Sequence, residues 1–282
     1  MPISVVVRRE VEASVKALQP LPRAVMRLVE LLESETATLG EVETLLKAEP
    51  VLCGRVLQIA NSAYYGLPRA VSTLQQALML LGVYAVKGIV LGVAAAAAIQ
   101  GSRAVSELER ALWRRSVAVA GYAQGIARAC RWGYRVAEDA YITGLLHDIG
   151  AIFLTARFPG VYHSLIQSDS EPFSIMRERE LFGYDHAEIG AMIAEHWKLP
   201  ERIVRAIGEH HAPYLPEGDV RLLTASVMEA NLWDIEDSAL AEALYPVAEL
   251  NTLIRIEKQT AESVRQRVRD TVDALCELLL IA

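Results

Sequence analysis

Signals that begin helices recur along the chain, whereas the alternating patterns of β-strands are almost absent. Pairs with the spacing of a capping box, a Ser, Thr or Asp three residues before a Glu or Gln, include Thr38 with Glu41, Ser72 with Gln75, and Asp185 with Glu188. Apolar residues make up 52% of the composition and aromatic residues only 6%, so the apolar content is mainly aliphatic. These features predict an all-α fold of packed helices.

The helical pattern also predicts how the chain is organised. A long helix is expected over residues 106–131, followed by helices over 137–154, 185–197 and 200–211. No repeat or long linker interrupts them. We therefore expect two packed helical subdomains, an N-terminal one over residues 1–103 and a second over residues 104–282 that includes the C-terminal helices.

Charge and cysteine content narrow the class of protein. The formal net charge of −7, from 28 basic and 35 acidic residues, argues against a general nucleic-acid binder. The three cysteines are odd in number and lack CxxC spacing, which predicts neither a disulfide framework nor a cysteine zinc site and fits a reducing cytoplasm. The N-terminus lacks the order of a secretory signal, and Lys87 divides the most apolar segment, residues 77–99, so we expect two buried helices there and no membrane span.

The stretch GLLHDIG, residues 144–150, places His147 beside Asp148 within an apolar run. Burying either side chain costs several kcal/mol unless it finds a partner or a metal. The helical neighbours of His147 are small, which leaves room for another helix or a ligand to approach: Thr143, Gly144, Gly150 and Ala151.

All six histidines lie between residues 147 and 211. His186 and the pair His210 and His211 are expected to point inward, whereas His163 and His196 have polar neighbours and are expected at the surface. Imidazoles and a carboxylate from separate helices are ordinary ligands of Zn, Fe or Mn, and a bound metal can activate water against a phosphate ester. The same pattern is also typical of neutral, hydrogen-bonded structural histidines. The residues alone leave both interpretations open.

A set of motifs occurs in a specific order between about residues 15 and 215. They are LPRAVMRLVELL at 21–32, EPVLCGRVLQIANSAYYG at 49–66, AVSTLQQALMLLG at 70–82, LWRRSVAVA at 112–120, GLLHDIG, FGYDHAEIGAMIAEHWKLP at 182–200 and HH at 210–211. Together they resemble the HDOD domain of bacterial signalling proteins, a relative of the HD superfamily of metal-dependent phosphohydrolases.

The resemblance implies a metal-ligand set that is only partly retained. The positions that keep a ligand-type residue are His147, Asp148, His186, His210 and His211. Arg115 stands where catalytic HD proteins have their first histidine, and Asn231 where they have the closing aspartate. Arginine stays protonated and cannot bind a metal. We therefore hypothesise that the Arg115 guanidinium takes the position of the metal and pairs with Asp148.

The function that this resemblance implies is a non-catalytic, cytoplasmic signalling or regulatory module. It would act through contacts with signalling proteins supplied by other chains and would need no cofactor. The alternative is an HD-type phosphohydrolase that uses a divalent metal (Fe, Mn or Zn) to act on a nucleotide or cyclic dinucleotide. A third interpretation is a protein that binds a nucleotide without hydrolysing it.

Two arginine stripes and the apolar C-terminus suggest contact surfaces. One stripe comprises Arg103, Arg110 and Arg114, and the other Arg128, Arg131 and Arg135. Each stripe is either a solvated face or a docking surface for an acidic partner or a phosphate-bearing ligand. The C-terminal helix ends in LLLIA, which predicts that it docks on the body of the protein or forms a homodimer.

Overall fold

The computed structural model describes residues 3–33, 38–62, 70–101, 103–168, 175–233 and 245–280. Within these ranges the chain forms α-helices and a single 3₁₀ turn, with no strand, as the sequence predicts. The helices of the first part are α1 (Ile3–Lys16), α2 (Arg23–Glu33), α3 (Leu39–Lys47), α4 (Pro50–Ala60), α5 (Leu74–Leu81) and α6 (Val83–Gln100).

The second part is built around one long helix, α7 (Glu107–Ala129), which packs against α8, α9, α14 and the last two helices. The elements that follow α7 are α8 (Tyr134–Leu146), α9 (Ile149–Arg157), α10 (Pro159–Ser168), α11 (Ile175–Phe182), α12 (His186–His196), α13 (Glu201–Gly208), the 3₁₀ turn (Gly218–Val220), α14 (Arg221–Leu232), α15 (Val247–Leu253), α16 (Lys258–Arg269) and α17 (Val272–Leu280).

Two of the three predicted capping boxes are present, and the third is displaced by one residue. Thr38 caps α3 with Glu41, and Asp185 caps α12 with Glu188. The prediction of a box formed by Ser72 and Gln75 is wrong, because α5 is capped by Thr73, whose hydroxyl accepts from the Gln76 backbone N–H. This register turns Leu74, Ala77, Leu78 and Leu81 into the core.

The predicted helix over residues 137–154 is broken at its centre. It ends at Leu146 and restarts at Ile149, so that His147 and Asp148 form a turn between α8 and α9. The His147 Nδ1 lies 2.7 Å from the Gly144 carbonyl, which is the acceptor that a continuous helix would offer to the Asp148 N–H. The side chain therefore competes with the backbone at the point where the helix breaks.

Two glycines of GLLHDIG account for the close packing around this turn. A Cβ on Gly144 would lie 2.8 Å from the Ala120 Cα of α7, and a Cβ on Gly150 would lie 2.0 Å from the His186 carbonyl oxygen. The small residues flanking His147 therefore admit other helices, which is one of the two occupants that the sequence predicts.

The apolar segment 77–99 forms two helices, as predicted, with Gly82 at a φ of +77° between them. Lys87 is fully buried in α6, and its Nζ lies 3.9 Å from Asp139 Oδ1. Among the described residues, no single helix combines the length and apolar character needed to cross a membrane; only two strongly bent helix pairs do so together.

The C-terminal helix α17 packs against α7, α6 and α4 of the same chain. Its inward face buries Val272, Cys276, Leu279 and Leu280. The helix therefore docks on the body of the protein, one of the two predicted outcomes. A homodimer through this helix stays a prediction.

Contacts between the two predicted subdomains are extensive. Helix α1 packs against α11 and α12, where the Tyr184 hydroxyl donates to Glu12 and accepts from Arg8. Helix α6 packs on α8. The boundary near residue 103 stays a prediction, and the chain on its two sides shares one continuous hydrophobic core.

Candidate functional site

The predicted site residues converge on the turn between α8 and α9. Arg115 comes from α7, His186 is the first residue of α12, His210 and His211 follow the end of α13, and Asn231 lies in α14. The residues at 0% exposure are His147, Asp148, His186, His210 and Asn231. The sequence therefore identifies one spatial cluster, assembled from five segments around the Asp148 carboxylate.

Arg115 joins two of the positions at which the resemblance implies metal ligands. Its Nη1 donates to Asp148 Oδ2 at 2.6 Å, and its Nη2 donates to Asn231 Oδ1 at 2.8 Å. The hypothesised pairing of Arg115 with Asp148 is thus present. The second contact, to Asn231, was not predicted. It makes the guanidinium a fork that holds α7, the turn after α8 and α14 together.

In two of the histidines, the Nδ1 atom is hydrogen-bonded to a backbone carbonyl. His147 Nδ1 lies 2.7 Å from the Gly144 carbonyl, and His210 Nδ1 lies 2.6 Å from the Ile207 carbonyl. A carbonyl oxygen only accepts, so each Nδ1 carries a proton and donates it. The Nε2 atoms of both rings then face Asp148, at 3.2 Å from Oδ2 for His147 and 3.8 Å from Oδ1 for His210.

His186 is held by a buried carboxylate that sequence reasoning missed. Its backbone N–H and its Nδ1 both donate to Glu178 Oε2 at 2.7 Å, and the Tyr162 hydroxyl donates to the other oxygen of Glu178 at 2.8 Å. Glu178 lies in a charged helix, where an acidic residue usually faces solvent. The only sequence signal for the contact between Glu178 and His186 is that Glu178 lies eight residues before His186.

Charges within the cluster are distributed unequally. Burial acts to lower the pKa of His186, but the Glu178 carboxylate outweighs it and raises that pKa to about 9. Burial and the neighbouring His210 hold the pKa of His211 well below its usual value. The two Nε2 atoms lie 3.0 Å apart, so protonated His186 donates to neutral His211.

Asp148 is ionised at the centre of this cluster. Burial acts to raise its pKa, but Arg115, followed by His147 and His186, outweighs burial and holds the pKa well below the usual value. Tyr245 lies two residues before α15 and covers the cluster, with its ring stacked on His211 at a centroid distance of 5.7 Å. Tyr245 is 4% exposed and was not among the predicted site residues.

The histidine side of the cluster fits a divalent metal. Ligand atoms of two groups, His186 with His210 and His211, and His147 with Asp148 and His210, each lie within 4.8 Å of one another. The buried atoms of the cluster that have no hydrogen-bond partner among the described residues include His147 Nε2, His210 Nε2 and Asp148 Oδ1. Imidazole nitrogens and a carboxylate suit Zn, Fe or Mn. Such an ion would supply a Lewis acid and an activated water.

The Arg115 side of the cluster does not fit a second ion. The guanidinium is permanently cationic and already occupies Asp148 Oδ2 and Asn231 Oδ1. A divalent cation beside it would meet like charge in a buried setting, where repulsion is poorly screened. The residues present therefore fit at most one ion at this turn.

The arginines of the first stripe form ion pairs within the chain, and a docking role for this surface stays a prediction. Arg110 Nη1 lies 2.5 Å from Glu277 Oε1, and Arg114 Nε lies 2.5 Å from Asp273 Oδ1. Arg103 pairs with Glu109. The acidic partners of Arg110 and Arg114 come from α17, more than 150 residues along the chain, so sequence patterns around the arginines gave no sign of them.

The second stripe remains at the surface. Arg128 pairs with Glu138 at 2.7 Å, and Arg131 and Arg135 are exposed.

The two histidines expected at the surface differ in their exposure. His163 is exposed, as predicted, whereas His196 is half-buried with its Nε2 3.0 Å from the Leu18 carbonyl. The prediction for His196 is therefore wrong, because α12 ends against the segment after α1.

Comparisons with known proteins agree with this architecture. A curated, uncharacterised protein of Treponema pallidum is 26% identical over 216 residues, which are 75% of this chain and 41% of that protein, so the chain spans less than half of its relative. Among solved structures, an HDOD domain protein of unknown function from Geobacter sulfurreducens shares 23% identity with a TM-score of 0.78, covering 96% of this chain and 98% of that one.

A second solved structure, named "Putative phosphohydrolase", comes from Shewanella amazonensis SB2B. It is 25% identical with a TM-score of 0.69, again covering 96% of this chain and 98% of that one. The profile of the HDOD domain matches residues 18–213, which is well over half of the chain. The chain therefore belongs to the HDOD domain family.

Proposed function

We propose that this protein is a non-catalytic regulatory module of the HD superfamily, which acts through contacts with signalling proteins supplied by other chains in the bacterial cytoplasm. The observation that carries the proposal is the Arg115 bridge to Asp148 and Asn231. The bridge puts a fixed positive charge at a carboxylate that an HD hydrolase would use for metal binding.

The charge of the bridge argues against hydrolysis with two metals. Two-metal hydrolases hold their ions about 4 Å apart, so that both act on the same phosphate. Here Asp148 Oδ1 faces His186 and His210, and Oδ2 is 2.6 Å from the guanidinium. The side chain that would bridge two ions instead links a protein cation to the imidazoles.

Burial argues in the same direction. His147, Asp148, His186 and His210 are at 0% exposure, and the Arg115 side chain is 24% exposed. A phosphodiester has to contact both the ion and its activated water in order to react. With these groups enclosed, the surface of the protein is the part that partners can reach.

The cysteines support a reducing location. Cys53, Cys130 and Cys276 are free thiols, and disulfides are rare in cytoplasmic proteins.

One observation favours the alternative, a metal-dependent phosphohydrolase. The unpartnered Nε2 atoms of His147 and His210, together with Asp148 Oδ1, are typical of a site that binds one ion. The similarity to the Shewanella amazonensis protein points the same way. This candidate requires the enclosed cluster to open.

The test combines metal analysis with a hydrolysis assay on the purified chain. We expect no stoichiometric transition metal, and no turnover of bis(p-nitrophenyl) phosphate above that of a His147→Ala variant when Mn²⁺, Fe²⁺ or Zn²⁺ is added. The double variant Arg115→His with Asn231→Asp restores both ligand types and is the positive control. We expect it to bind more metal than the wild type.

Hydrolysis by the wild type that His147→Ala abolishes would refute the proposal and establish the phosphohydrolase. Metal bound without hydrolysis would leave the non-catalytic function standing and assign the ion a structural role.

A further inference from the structure

We propose that a second site, a pocket of about 900 Å³ beside the end of α7, binds a nucleotide. Its polar lining consists of Arg128, Arg131, Arg267, Gln124 and the two tyrosines Tyr134 and Tyr141. Leucines of α5 supply an apolar wall. None of these residues belongs to the histidine cluster, so this proposal does not depend on the function of that cluster.

The charge of the pocket selects an anionic ligand. Three arginines line it, and the described lining residues include no aspartate or glutamate, although the chain as a whole carries a net charge of −7. Arg131 and Arg267 are exposed and form no ion pair within the described ranges. Guanidinium groups bind phosphate oxygens in pairs, through two parallel N–H donors.

A buried carboxylate positions part of the polar wall. Glu138 is 1% exposed, and its Oε1 accepts from Arg128 Nη2 at 2.7 Å and from Gln124 Nε2 at 3.1 Å. Its other oxygen is buried without a hydrogen-bond partner among the described residues. Arg128 is still 53% exposed and keeps further N–H donors for a ligand. Glu138 thus orients the Arg128 guanidinium toward the pocket, although burial deprives its own carboxylate of hydrogen bonds to water.

The turn between α7 and α8 places two more lining residues. Arg131 has a φ of +56°, a left-handed conformation that glycine or asparagine usually adopts at the end of a helix, and Gly133 has a φ of +93°. The Trp132 N–H donates to the Ala127 carbonyl at 3.1 Å and closes the turn. This turn ends α7 and places Arg131 at the rim of the pocket.

Arg267 reaches the pocket because α16 lies unusually close to α7. A Cβ on Gly125 of α7 would lie 2.3 Å from Val264 Cγ1 of α16, so only glycine permits this approach. The pocket therefore combines residues from α5 and α6, from α7 and α8, and from α16. A ligand bound there would bridge all three parts and should raise the melting temperature of the whole chain.

Size and aromatic lining specify the class of anion. A volume of about 900 Å³ is typical of small-molecule sites and far exceeds what a single phosphate fills. Tyr134 is 54% exposed, and Leu80 beside it is 45% exposed. Tyrosine rings stack well on planar bases. Phosphates against the arginines and a base against the tyrosines would satisfy both parts of the pocket.

The test measures binding of ATP, GTP, CTP and UTP to the full chain by calorimetry and thermal shift, with inorganic tripolyphosphate as the probe that lacks a base. We expect at least one nucleotide to raise the melting temperature and to bind more tightly than tripolyphosphate. Tyr134→Leu should remove that difference. In Arg131→Gly with Arg267→Ala, Kd should rise by roughly 100-fold, about tenfold per arginine.

The matched control is Arg9→Ala with Arg157→Ala, which removes the same charge from exposed positions outside the pocket. Glycine suits the left-handed position 131, so the binding variant should fold normally. Failure of all four nucleotides to bind, equal affinity for tripolyphosphate, or equal affinities in the binding variant and the control would each overturn the proposal.

Discussion

Replacing Arg115 by alanine is the most direct perturbation of the candidate site. The change removes two hydrogen bonds, to Asp148 Oδ2 at 2.6 Å and to Asn231 Oδ1 at 2.8 Å. It leaves the Asp148 carboxylate, which is 0% exposed, without its strongest cationic neighbour. We expect Arg115→Ala to destabilise the fold, because an uncompensated buried charge is costly.

The structure sets the size of the effect. Breaking a buried ion pair costs about 3–5 kcal/mol. Two features reduce this figure: the Arg115 side chain is 24% exposed, so water can enter, and protonated His186 remains 3.4 Å from Asp148 Oδ1. We therefore expect a loss of about 2–3 kcal/mol, which lowers Tm by roughly 3–5 °C in a chain of this size.

The assay is urea and thermal unfolding followed by circular dichroism, with Arg114→Ala as the matched control. Arg114 is the adjacent residue in α7, and its ion pair with Asp273 is exposed on both sides, at 53% and 72%. Exposed pairs contribute about 0–1 kcal/mol. Arg115→Lys should fall between the two, because an ammonium keeps the charge but cannot form the fork to Asp148 and Asn231. Equal melting temperatures for Arg115→Ala and Arg114→Ala would refute the reasoning.

Three further predictions concern packing, protonation and closure of the cluster. Gly150→Ala should lower the free energy of unfolding by about 2–3 kcal/mol, because the added Cβ would lie 2.0 Å from the His186 carbonyl oxygen; an unchanged urea midpoint would contradict this. Burial raises the pKa of Glu138, against the opposing effect of Arg128, so the folded state keeps this proton to higher pH than the unfolded state. The wild type should therefore lose stability as the pH rises above about 4.5 through that raised pKa, and Glu138→Gln should lose less; identical slopes in urea titrations would count against it. Tyr245→Ala should expose His211, seen as faster modification by diethyl pyrocarbonate, and an unaltered rate would mean that Tyr245 does not close the cluster.

Local signals account for most of the fold that the sequence predicts. Capping pairs such as Asp185 with Glu188 act within one turn, so they identify where α12 begins regardless of the rest of the chain. The break at His147 is different, because it depends on a side chain competing for the Gly144 carbonyl within a segment whose apolar pattern is continuous. The periodicity of apolar residues shows which face of a helix is buried, and it contains no information about competition between a side chain and the backbone for one carbonyl.

The candidate site could be predicted only where residue type restricts the chemistry. Arg115 and Asp148 were paired in advance because the resemblance puts Arg115 at the position of the first metal ligand, and a permanent cation there has few roles other than pairing with a buried carboxylate. Glu178 and Tyr245 were missed, since an acidic or aromatic residue in an amphipathic segment gives no local sign of which cluster it joins. The ion pairs of Arg110 and Arg114 were not foreseen for the same reason, because their acidic partners come from α17.

The position of Tyr245 over the histidines has a practical consequence for where the chain can be truncated. The family match ends at residue 213, yet Asn231 and Tyr245, which complete the cluster, lie downstream of it. A fragment restricted to the matched range would lack Asn231, so Arg115 would lose one of its two hydrogen bonds. It would also lack Tyr245, which covers His211, and the C-terminal helices that pack against α7. Such a fragment should aggregate, and any activity it displayed would describe a damaged core.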